Sequence, residues 1–137
     1  MKAKDLMIGD WIEWICSTDK KYHGVYKVAA VEETWIDFYD EDGHCCSQPY
    51  EEIVPIIITP GIIEVNGLEH RPAPEGDVKY GLTSYEDDYT LEFSFRKGWE
   101  TWCDIHGHLK NYHGNIRYVH ELQHALRLCG IEKCIEL

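Results

Sequence analysis

The clearest helical period in this chain lies near its end, and it constrains what the rest must do. Between Ile116 and Cys129, at about 100° per residue, Val119, Leu126, Leu122, Cys129, Tyr118 and Ala125 form one continuous apolar stripe, and Gly130 supplies the stop. A helix with one apolar face needs a second layer to bury it. The rest of the chain offers strands for that layer. Trp35-Ile36-Asp37-Phe38-Tyr39 and Leu91-Glu92-Phe93-Ser94-Phe95 alternate with a period of two. In the first of these, Trp35, Asp37 and Tyr39 share one face, and Ile36 and Phe38 share the other. The expectation is an α+β fold in which an antiparallel sheet is packed by one C-terminal helix.

The pattern divides into two lobes. Residues 1–54 read as a small all-β lobe, with strands at Trp11–Ile15, Val25–Val31, Thr34–Tyr39 and His44–Ser47, and Tyr50–Val54 closing it. Lys20–Gly24 is a polar connection, and Asp40–Gly43 is a turn. Short strands in such number predict a small SH3-like β-barrel or a bent sheet. Residues 55–137 read as an α+β lobe. Thr59 is an N-cap and Pro60 suits the first helical position, so a short helix spans 60–66 and stops at Asn66-Gly67. A loop from Glu69 to Asp77 follows. Strands are expected at Tyr80–Tyr85, Leu91–Phe95 and Trp99–Ile105, the last entered through a turn at Arg96-Lys97-Gly98. His106–Asn115 is a polar loop, the helix spans 116–129, and Ile131–Leu137 is an apolar tail suited to an edge strand.

Composition narrows the function classes. Of 137 residues, 44% are apolar, enough to bury a core. The 25 acidic residues outweigh 13 basic ones, giving a formal net charge of −12. Phosphate binding requires a basic patch, so direct nucleic-acid binding is not expected. An anionic membrane surface would repel the chain. No apolar run approaches the ~20 residues of a membrane span. Two lysines and a short apolar stretch broken by Gly9-Asp10 do not form a secretory signal, so a cytoplasmic location is expected. There the six cysteines would be reduced thiols.

Two groups of residues invite a metal. His120-Glu121-Leu122-Gln123-His124 matches the zinc-protease pattern, in which one helical turn presents two imidazoles and the glutamate deprotonates the bound water. The glycine and third histidine of metzincin helices would fall at 127 and 130, which hold Arg127 and Gly130. Arg127 is a permanent cation on the histidine face. The apolar stripe is complete without either histidine, so His120 and His124 are expected on a solvated polar face. Cys103, His106, His108 and His113 form a second group with zinc-like spacing, although Cys103 falls within a strand pattern. No catalytic residue and no cofactor are assigned. His120 and His124 are retained as the alternative metal pair.

Three segments carry a resemblance. They are Lys4 to Trp14, the junction Tyr50-Glu51-Glu52-Ile53 through Pro55-Ile56 to Ile58-Thr59-Pro60, and Ile116 to His124 running on through Cys129-Gly130. Together they resemble a group of small uncharacterised proteins of gut anaerobes and their phage-like or conjugative elements. In that group the final helix often has asparagine where His124 stands, and asparagine cannot replace it as a zinc ligand. The resemblance implies a mobile element as the setting and carries no activity. The N-terminal lobe also looks like the small Src-homology-type or transcription-factor-type barrels that bind peptides, proteins or nucleic acid.

The leading expectation is a non-enzymatic binding or accessory protein with a protein partner. Five tryptophans and nine tyrosines favour such a surface if some are exposed together. The alternatives are a zinc-dependent hydrolase built on His120, Glu121 and His124, and an acidic nucleic-acid mimic using Glu32, Glu33, Asp37, Asp40, Glu41 and Asp42.

Overall fold

A computed structural model describes residues 1–16, 18, 22–96 and 100–137. The fold is α+β. Two antiparallel five-stranded sheets are present among the described residues, and the chain divides into two compact units, Met1–Ile56 and Ile57–Leu137.

The first unit holds β1 (Trp11–Ile15), β2 (Tyr22–Val31), β3 (Trp35–Tyr39), β4 (Cys45–Pro49) and β5 (Ile53–Val54), in the order β4-β3-β2-β1-β5. The sheet stays open, so the closed-barrel expectation is corrected in favour of a bent sheet. Residues Tyr50–Glu52 turn as a 3-10 helix, and only the two residues of β5 then pair with β1. That leaves too little strand to reach β4. Strand β2 is longer than the sequence suggested. Tyr22–Gly24, expected as part of a polar connection, belongs to the strand, and the His23 ring stacks on Trp14 at 4.2 Å. Lys20 and Lys21 lie outside the described residues.

Alternation sorts this sheet into two faces. Ile12, Val28, Ile36, Phe38 and Ile53 point inward and are buried with Leu6 and Tyr50. Each large apolar side chain so buried contributes roughly 1.5–3 kcal/mol. Tyr26 stacks on Phe38 at 4.5 Å. Trp11, Lys27, Trp35, Asp37 and Tyr39 take the opposite face.

In the second unit, α1 (Pro60–Val65) is capped by Thr59, whose hydroxyl accepts the Ile62 N–H at 3.3 Å. Its sheet has the order β10-β9-β8-β7-β6, from β6 (Glu69–Arg71), β7 (Asp77–Ser84), β8 (Tyr89–Arg96), β9 (Glu100–His106) and β10 (Asn111–Asn115). Both edge strands arise within segments expected to be loops. β6 pairs with Lys79–Gly81 and β10 with Trp102–His106. Their residues are mostly polar because edge positions face water, so the alternation that marks a strand is missing. Lys97–Trp99, the expected turn and strand entry, lie outside the described residues. Tyr80, Leu91, Phe93, Cys103 and Ile105 are buried along one face of the sheet.

Helix α2 (Val119–Leu128) starts three residues later than the periodicity suggested. Ile57 bridges to Tyr118 and the Ile58 N–H donates to the Arg117 carbonyl at 2.9 Å, which holds 116–118 extended. Val119, Leu122, Ala125, Leu126 and Cys129 are buried, as the stripe required. Gly130 ends the helix at φ +75°, a conformation that favours glycine. The tail is not the expected edge strand. The Asn66 side chain takes both backbone groups of Glu136, donating to its carbonyl at 2.8 Å and accepting its N–H at 2.9 Å. No helix among the described residues is long and apolar enough to cross a membrane.

Candidate functional site

The structure gives each member of the His120-Glu121-His124 motif a local task. Glu121 is the third residue of α2. Its carboxylate accepts the backbone N–H of Arg117 at 2.8 Å and of Tyr118 at 3.0 Å. Those donors would otherwise have no partner at the helix start, so the would-be base is a helix cap. His120 is 6% exposed, which corrects the expectation of a solvated imidazole. Its ring stacks on Tyr118 at 5.7 Å and meets His124 edge-on at 5.9 Å. The wheel placed His120 on a polar side; in the structure the Tyr118 and His124 rings lie against it, and Ile57 bridges the backbone of Tyr118 just before the first turn. His124 is half-buried and Arg127 exposed. Among the described residues, no third donor converges with the two histidines.

The second proposed set is dispersed. Cys103 is fully buried on the inner face of β9, and burial, followed by the nearby Asp104 carboxylate and Cys129, pushes its thiol far above the ordinary range. His113 lies on the outer face of β10, with Nδ1 engaged by the Asp104 carboxylate and its ring edge-on to Trp102. His106 ends β9. His108 stands 3.9 Å from Asp88, at a cleft of about 650 Å3 also lined by Glu86, Asp87, Tyr89, Lys133 and Cys134. The lining is mixed in charge, and its donors do not converge on one point. All six cysteines are free thiols.

Asp40, Asp42 and His44 do converge, their ligand atoms lying within 4.8 Å of one another. The Asp40 carboxylate, however, closes the β3–β4 turn. It accepts the N–H of His44 at 2.8 Å and of Asp42 at 3.0 Å, and the His44 N–H is the main cause that holds its pKa below the ordinary value.

The outer face of the first sheet has a different character. Trp35 and Tyr39 project from it at 45% and 59% exposure, with Asp37 between them on β3. Successive residues on one strand face lie about 7 Å apart. The Ser47 hydroxyl of β4 donates to the Asp37 carboxylate at 2.5 Å and fixes its direction. Among the described residues neither exposed ring has a ring or cation partner. On the same face the Lys27 ammonium lies over the Trp11 ring, 4.7 Å from its centroid. Glu32 and Glu33 precede β3, and Asp40, Glu41 and Asp42 follow it. Between Lys27 and Arg71 the sequence holds no lysine or arginine.

Sequence reasoning found the shared face of Trp35, Asp37 and Tyr39. It missed the Ser47 contact and the Lys27–Trp11 pair, because both depend on strand register. It also missed the capping role of Glu121. A helix start placed at Tyr118 would have revealed it, since glutamate at the third helical position is a capping signal. Comparison of the chain with models of protein families, with curated proteins and with solved structures finds no match.

Proposed function

We propose that this chain is a non-enzymatic binding protein that docks a protein partner on the outer face of its first sheet. The observation that carries the reading is the pair Trp35 and Tyr39, both exposed on one face of β3 with Asp37 between them. Tryptophan and tyrosine supply large contact area at low conformational cost and dominate binding hot spots. The small open sheet holds them rigidly, because Ile36 and Phe38 between them are fully buried. A cytoplasmic setting agrees with the six free thiols, and the resemblance of three segments to mobile-element proteins supports an accessory role there.

A photoreactive benzoylphenylalanine in place of Trp35, expressed in the source cell, tests this. The same group in place of Tyr85, 92% exposed in the second unit, is the control. A discrete protein adduct from position 35 and none from position 85 is expected. No adduct from position 35, or the same adducts from both, would overturn the reading.

A further inference from the structure

We infer that the Trp35–Asp37–Tyr39 face recognises cationic side chains, and that the docked segment of the partner is rich in lysine or arginine. This deepens the binding reading above and rests on it.

Three observations lead to the cation. The first is composition at the face. Two exposed aromatic rings flank one carboxylate on a single strand. An aromatic face attracts a cation through its quadrupole, and an adjacent carboxylate adds a direct charge. Ser47 holds that carboxylate in place, so part of the ordering cost is met before the partner arrives. The second is precedent within the same sheet. Lys27 already lies over Trp11 on this face, 4.7 Å from the ring centroid. Trp35 and Tyr39 present the same chemistry with no such cation among the described residues. The third is charge complementarity. Glu32, Glu33, Asp40, Glu41 and Asp42 flank the strand at its two ends; Asp40 is engaged by its own turn and by His44 at 3.4 Å, and the sequence holds no lysine or arginine between Lys27 and Arg71. A partner segment with acidic residues would be repelled there, and a neutral apolar one would leave the carboxylates desolvated without compensation. The carboxylates therefore choose the sign of the partner and the rings supply the contact surface.

The test uses the full chain and an octalysine peptide, with an octaserine peptide as control, followed by two-dimensional NMR at low and at physiological salt. Octalysine is expected to shift the Trp35 indole and the β3 amides first, and octaserine to shift neither. Trp35→Ala with Tyr39→Ala should weaken octalysine binding about tenfold or more. Asp37→Asn, which keeps the shape of the side chain, should weaken it severalfold. Glu86→Gln with Asp87→Asn, in the second unit, should leave it unchanged. These residues are exposed or half-exposed, so the variants are expected to keep the parent melting temperature.

Equal weakening by the Glu86/Asp87 pair, or shifts spread over the whole acidic surface, would show general attraction to a charge of −12 and overturn the inference. So would octalysine binding that ignores Trp35 and Tyr39. The two readings separate cleanly. A discrete adduct from position 35 that octalysine does not compete away leaves the binding face standing and removes the cationic partner. No adduct from position 35 removes both.

Discussion

Glu121 decides between two uses of the same side chain. As a metalloprotease base it would be catalytically essential and of little consequence for stability. As the cap of α2 it receives the N–H groups of Arg117 and Tyr118. Glu121→Ala should therefore lower unfolding free energy by about 1 kcal/mol, the ordinary cost of a lost helix cap. Urea denaturation would measure it, with Glu121→Gln recovering part of the loss, since an amide oxygen can still accept. An unchanged midpoint in the alanine variant would contradict the capping role. The histidine spacing was legible in the sequence, and so was the apolar stripe. The burial of His120 was not: its place on the polar side of the wheel predicted exposure, and the structure leaves it 6% exposed. A helical wheel knows the faces of one helix and nothing of what packs against them.

At the scale of elements, the strands that alternate were readable and those at the edges were not. β3 and β8 announced themselves because one face of each is buried. β6 and β10 are polar edge strands, defined only by their partners. The β9–β10 loop packs closely against the end of α2. The Leu109 N–H donates to the Cys129 carbonyl at 3.2 Å, and a Cβ on Gly107 would collide with that carbonyl oxygen and lie 2.9 Å from the Cys129 Cβ. Backbone cannot give way there, so Gly107→Ala should cost about 1–3 kcal/mol. At Gly81 the nearest atom is the Arg71 Nε, at 2.8 Å, on a flexible exposed side chain. Gly81→Ala should be much milder. Thermal melting of the two variants side by side checks the contrast, and equal shifts would contradict it.

For the whole molecule, period and composition gave the α+β class and the acidic surface, while closure of the first sheet depended on how many residues the turn at Tyr50–Glu52 consumed. The buried acids set the pH response. Burial raises the Cys103 thiol and the Tyr50 and Tyr80 hydroxyls above their ordinary values of 9.0 and 10.0, and at Tyr80 the Glu64 carboxylate adds to it. The folded state keeps these protons longer than the unfolded chain does. Their contribution is fully present below 9.0 and is lost as pH rises above it. The urea midpoint should therefore fall between about pH 8 and pH 10.5, and Cys103→Ala should flatten the first part of that fall. A flat midpoint would contradict it.

The role assigned to the outer face rests on Trp35 and Tyr39. Affinity capture from source-cell lysate, with the wild-type chain and the Trp35→Ala, Tyr39→Ala double variant as parallel baits, tests that role most directly. A protein retained by the wild type and lost by an equally stable double variant is the expected result. Identical capture by both baits would contradict it.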